Sequence, residues 1–103
     1  MLLKNDGDKF DELQSIFIGG IIDEIKIKLE EAKLPSDKVR ELLENISFSV
    51  ATILDGSRSV EYEGVEASPI ITFQEGDNDL IYPGGNSWMH EYVFGTISDI
   101  YGE

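Results

Sequence analysis

Along residues 10–32 the apolar side chains recur at helical spacing, with Phe10, Leu13, Phe17 and Ile21 on one stripe and Ile18, Ile22, Ile25 and Leu29 on the next. Asp23, Glu24, Lys26 and Lys28 fill the opposite arc. The spacing predicts a helix with a broad apolar face, and the polar arc weighs against a strand flanked by two shorter helices. Residues 16–22 are apolar nearly all round and carry Gly19-Gly20 in the middle. Such a pair marks a kink or a close-packing notch. The run from Ile16 to Ile22 is therefore also a candidate surface for a homodimer.

Leu34-Pro35-Ser36-Asp37 breaks the chain and restarts it, with Ser36 as the expected N-cap and Asp37 in the first turn, where a carboxylate suits the helix dipole. A second helix is expected to about Asn45, its Val39, Leu42 and Leu43 packing back on the first. The period then changes. Ile46, Phe48, Val50, Thr52 and Leu54 alternate with Ser47, Ser49, Ala51 and Ile53, which predicts a strand with one buried face. Asp55-Gly56-Ser57-Arg58 reads as a hairpin turn and Ser59 to Tyr62 as the return strand. After the turn at Glu63-Gly64, Pro69 opens a third strand through Phe73, and Leu80-Ile81-Tyr82 forms a fourth beyond the turn at residues 75–79. Pro83-Gly84-Gly85-Asn86-Ser87 caps a last helix over residues 88–101, with Met89, Val93, Ile97 and Ile100 in phase and Gly102 as its C-cap. Helices, then strands, then a helix make an α+β domain. The expected order is α-α-β-β-β-β-α over residues 1–103, with helices packed on one face of an antiparallel sheet.

Composition narrows the chemistry. The 103 residues hold 8 Lys+Arg against 21 Asp+Glu, a net charge of -13, with no cysteine and one histidine. Disulfides, thiolate nucleophiles, Cys-ligated zinc and multi-histidine metal sites are thereby excluded. The opening Met1-Leu2-Leu3 is too short for a secretory apolar region and no stretch approaches a membrane span, so a cytoplasmic protein is the default expectation. The charge is also skewed. Residues 59–103 contain 9 acidic side chains and no basic one. Such a field repels phosphate backbones and anionic lipid, which weighs against direct nucleic-acid or membrane binding, and it attracts a basic protein. An acidic structural domain with no charged partner has the same composition, since net charge also serves solubility.

The motifs that suggest small-molecule chemistry are incomplete. His90-Glu91 resembles the start of a zincin helix, but Phe94 stands where the second histidine belongs. The loop of residues 83–87 lacks the lysine and spacing of a phosphate-binding loop. Asp6-Gly7-Asp8 and Asp77-Asn78-Asp79 are oxygen-rich but do not complete a calcium loop, and Asp and Asn favour turns on their own account. No cofactor, metal or enzymatic activity is expected. An alternative reading, a small-ligand or metal-binding domain, centres on Asn86, Ser87, His90 and Glu91.

The main expectation is a protein-interaction module. Glu61, Glu63, Glu66, Glu75, Asp77 and Asp79 would supply charge toward a basic partner, and Tyr82 and Trp88 would serve as apolar anchors. A chain of this size and acidity, without assembled catalytic chemistry, resembles bacterial immunity, antitoxin or inhibitor proteins. That resemblance implies a role in covering a basic surface of another protein.

Overall fold

The computed structural model describes residues 2–84 and 87–103. The chain runs β1 (Leu2–Asn5), α1 (Gly7–Glu31), α2 (Ser36–Leu54), β2 (Val60–Tyr62), β3 (Val65–Ala67), β4 (Phe73–Glu75), β5 (Asp79–Tyr82), a 3-10 turn (Met89–Tyr92) and α3 (Val93–Ile100). This is the mixed α+β architecture expected, with two long helices ahead of β2 to β5, a small sheet against them and a helix last, and with the additional strand β1 preceding the helices. No helix among the described residues is long and apolar enough to cross a membrane.

Helix α1 begins three residues earlier than its apolar pattern, because Asp6 caps it. The Asp6 carboxylate accepts a hydrogen bond from the Lys9 backbone N–H at 3.1 Å. One of the two oxygen-rich loops is thus a helix cap. Phe10, Gln14, Ile18 and Ile22 form the buried stripe of α1. Gly19 and Gly20 are not a packing notch, since a Cβ built on either meets no atom within 4 Å. The N-cap position of α2 is Pro35 rather than Ser36, and among the described residues no side chain caps that end.

The clearest departure from expectation is residues 46–54, which are helical. Their alternation is real, but a 3.6-residue stripe of Val39, Leu43, Ser47 and Ala51 runs through the same residues and is the buried one. Two members of that stripe are small and only weakly apolar, so the helical signal is hidden behind the bulkier Ile46, Phe48 and Val50. Once residues 36–45 are helical, each further residue adds a hydrogen bond at little nucleation cost, and packing overrides β-branched preference. The Ser47 hydroxyl is buried with no hydrogen-bond partner among the described atoms.

The core gathers Ile18, Ile22, Leu43, Ala51, Met89, Val93 and Ile97 between the three helices. A second layer places Phe73 of β4 against Phe10 and Phe17 of α1, with ring centroids 5.1 and 5.5 Å apart. The sheet order is β1-β5-β4. Within this sheet the expected antiparallel pairing holds for β4 and β5. β1, absent from the expected elements, lies parallel to β5 with Leu2 opposite Asp79.

At its far end α3 closes with backbone hydrogen bonds from Gly102 to Asp99 at 3.1 Å and from Glu103 to Ser98 at 2.9 Å. These two bonds make the glycine cap expected from Gly102. Glu103 then forms a two-pronged ion pair with Arg40 of α2, whose guanidinium lies 4.8 Å from the Tyr101 ring centroid. The pairing holds the Glu103 carboxyl below its ordinary value.

Strands β2 and β3 stand apart as a separate two-stranded sheet. Their hairpin turns at Glu63 and Gly64, both at positive φ (53° and 79°), the pairing typical of tight two-residue hairpin turns. Neither strand packs extensively on another element. The radius of gyration is 15.3 Å, against about 13 Å for a compact chain of 100 residues. The hairpin projects from the helical body.

Candidate functional site

Two surface regions bring together residues with chemistry. The first lies where the end of α2 meets the 3-10 turn. Asp55 follows the last residue of α2, and its carboxylate is fully shielded from solvent. It accepts hydrogen bonds from the Ser57 backbone N–H at 2.9 Å and the His90 backbone N–H at 3.0 Å, and it pairs with the His90 ring through Nδ1. Burial pushes the Asp55 carboxyl upward, but the hydrogen bonds from Ser57 and His90 outweigh it and hold the group below its ordinary value. Asp55 is therefore a charged clamp joining α2 to the 3-10 turn.

Asp55, Ser57 and His90 resemble a nucleophilic triad in composition only. A triad needs the carboxylate and the nucleophile on opposite ring nitrogens, so that one orients the imidazole while the other surrenders its proton. Here the Ser57 hydroxyl lies 3.3 Å from Nδ1, the nitrogen that Asp55 already holds. No proton relay from Ser57 through the ring follows from that arrangement.

Beside this clamp lie two adjoining clefts of about 310 and 300 Å³ that share Asp55, Gly56 and Ser87. Tyr82 lines the first and Trp88 the second. Their polar groups are mostly engaged elsewhere. The Ser87 hydroxyl donates to the buried Gln14 side chain at 3.0 Å, and Gln14 in turn donates to Asp11 at 2.9 Å. Glu91 is exposed and Asn86 lies outside the described residues. His90 continues into a row of rings, with Trp88 at 6.0 Å, Phe48 at 5.6 Å, and Phe94 a further 5.6 Å from Phe48. Among the described residues no three metal-ligating side chains converge.

The second region is the projecting hairpin. Its register sets Glu61 directly opposite Glu66, and Tyr62 opposite Val65. Because side chains alternate along a strand, the two glutamates share one face while Tyr62, Val65, Val60 and Ala67 share the other. Tyr62 is 78% and Val65 71% exposed. Glu63 sits in the turn between the strands.

The remaining expected acidic residues lie on the β4-β5 hairpin and are partly neutralised. Lys4 of β1 pairs with Asp79 at 2.8 Å and Lys9 of α1 reaches Glu75 at 3.9 Å. The hydrogen bond and charge of Asp79 raise the Lys4 ammonium above its ordinary value. Asp77 is exposed at the intervening turn. Of the six expected partner-facing carboxylates, only Glu61, Glu63 and Glu66 come together without a cation within ion-pairing distance among the described residues. Tyr82 is half-buried in β5, whereas Trp88 is 49% exposed. Within residues 16–22, Ile18 and Ile22 belong to the core, Phe17 packs on Phe73 while remaining partly exposed, and Ile16 faces outward.

Asp55, Ser57, Gln14 and Phe48 do not stand out in the sequence as site residues. Gln14 carries a legible signal, a polar residue in the Phe10–Ile18 stripe, whereas Asp55 looks like any turn aspartate. No family model, curated protein or solved structure matches the chain.

Proposed function

We propose that this protein is an acidic interaction module that docks on a cationic surface of a partner protein, as immunity and inhibitor proteins do. The observation that carries the reading is the projecting hairpin of residues 60–67, which carries Glu61 and Glu66 on one face, Glu63 in its turn and the exposed Tyr62 and Val65 on the other face. Among the described residues no cation lies within ion-pairing distance of these glutamates. The hairpin thus offers a partner an exposed aromatic anchor on one face and a pair of carboxylates on the other, two of the features from which docking surfaces are built. The net charge of -13 steers a basic partner toward the molecule, and the hairpin gives it a place to seat. The small-ligand reading centred on Ser87, His90 and Glu91 draws less support. The Ser87 hydroxyl and the His90 Nδ1 already serve the fold.

The test is affinity capture with the wild-type chain and with an E61Q/E63Q/E66Q variant as parallel baits, at low and high salt. A basic protein retained by the wild type at low salt, released at high salt and absent from the variant supports the proposal. Equal retention by both baits, or no basic protein retained, refutes it.

A further inference from the structure

The β2-β3 hairpin carries three features that are unfavourable in isolation, and a single kind of partner relieves all three. A lone two-stranded hairpin is marginal in water. It has two free edges, since among the described residues no other strand joins this sheet. Its register also places two carboxylates directly opposite each other, which is destabilising.

The turn geometry sharpens this. With a two-residue turn at Glu63 and Gly64, Tyr62 and Val65 form the hydrogen-bonded pair next to the turn. Glu61 and Glu66 are then the non-hydrogen-bonded pair. Their side chains approach closely, and their backbone N–H and C=O groups point outward along the two free edges.

We propose, resting on the docking reading above, that the partner contributes a β-strand to an edge of this hairpin, with a Lys or Arg flanked by apolar residues. The pattern follows from the pleat. A residue opposite Glu61 or Glu66 lies on the acidic face, where a cation bridges both carboxylates. The neighbours of that residue fall on the other face, where they cover Tyr62 and Val65. Strand addition also satisfies the outward N–H and C=O groups of the edge it joins, which supplies affinity independent of charge. A second copy of this chain is a poor occupant, because residues 60–67 contain no cation to set against Glu61 and Glu66.

The experiment titrates the full-length, isotope-labelled chain with a short synthetic peptide of pattern Thr-Val-Lys-Val-Thr and with its Lys→Glu counterpart, following amide shifts and hydrogen exchange. Strand addition predicts saturable binding of the lysine peptide, with the outward amide of Glu61 or Glu66 protected about tenfold on saturation. It further predicts that E61Q/E66Q weakens binding about tenfold. The glutamate peptide leaves the spectrum unchanged. Lysine-dependent binding that E61Q/E66Q abolishes without protecting either amide overturns strand addition and leaves the docking reading standing. Absence of binding by the lysine peptide at millimolar concentration, or equal binding of both peptides, overturns both.

Discussion

Replacement of Asp55 by alanine removes a buried carboxylate that serves two backbone donors and one ring nitrogen. The His90 N–H at 3.0 Å is part-buried and loses its only described acceptor, whereas the Ser57 N–H at 2.9 Å is exposed enough for water to replace it. An unsatisfied buried donor costs about 1–3 kcal/mol, and the lost charge-assisted bond to the His90 ring adds about 1.5 kcal/mol, for a total of about 2.5–4.5 kcal/mol. Asp55→Asn keeps the shape and one acceptor oxygen, so about 1–2 kcal/mol is expected. Urea unfolding measures both, followed by circular dichroism and by the fluorescence of Trp88, the single tryptophan, which packs on His90. The pH dependence has a definite sign. The folded Asp55 carboxyl titrates below its ordinary value of 3.8, so its stabilisation is complete well above that pH and is lost as pH falls through the lowered folded value. The stability gap between wild type and Asp55→Asn is therefore widest near neutrality and closes in acid. An Asp55→Ala variant within about 0.5 kcal/mol of wild type, or a gap that does not change with pH, refutes the clamp.

Three further outcomes are expected. Glu61→Lys turns the repulsive cross-strand pair with Glu66 into an attractive one, worth about 0.2–1 kcal/mol, and slower amide exchange in the hairpin reports it. Ser47→Ala removes a buried hydroxyl that lacks a partner, so denaturant unfolding should show no loss and a gain of about 1 kcal/mol. Gly84→Ala introduces a Cβ that collides with the Asn5 side-chain amide at a position with φ of 78°. A loss of at least about 1–2 kcal/mol follows from the left-handed backbone alone, read as a lower thermal midpoint, and an unchanged midpoint contradicts the left-handed conformation at residue 84.

The helices at the two ends of the chain were legible because bulky apolar residues mark their buried faces, as Phe10, Ile18 and Ile22 do in α1 and Val93 and Ile97 in α3. The second half of α2 was not, because Ser47 and Ala51 occupy its core stripe and Ile46, Phe48 and Val50 imitate a strand. β1 was hidden for another reason. All four of its residues are exposed, so no buried face exists to leave an alternating pattern. At the candidate site, the grouping of Glu61, Glu63 and Glu66 followed from the turn at Glu63-Gly64. The pairings of Lys4 with Asp79 and Lys9 with Glu75 did not, because they join segments that only the tertiary fold brings together. The partnership of His90 with Asp55 was invisible for the same reason, since both residues sit in turns that carry no periodicity.

The parallel pairing of β1 with β5 bears on how the molecule assembles during synthesis. Leu2 donates to the carbonyl of Asn78, so β1 has nothing to join until β5 has emerged, well after both long helices. The α1-α2 hairpin faces no such delay, since its contacts lie within neighbouring stretches of sequence and close quickly. A ribosome-bound intermediate is thus expected to hold two docked helices with β1 still unpaired. Pairing of β1 with β5 is the late event that completes the three-stranded layer.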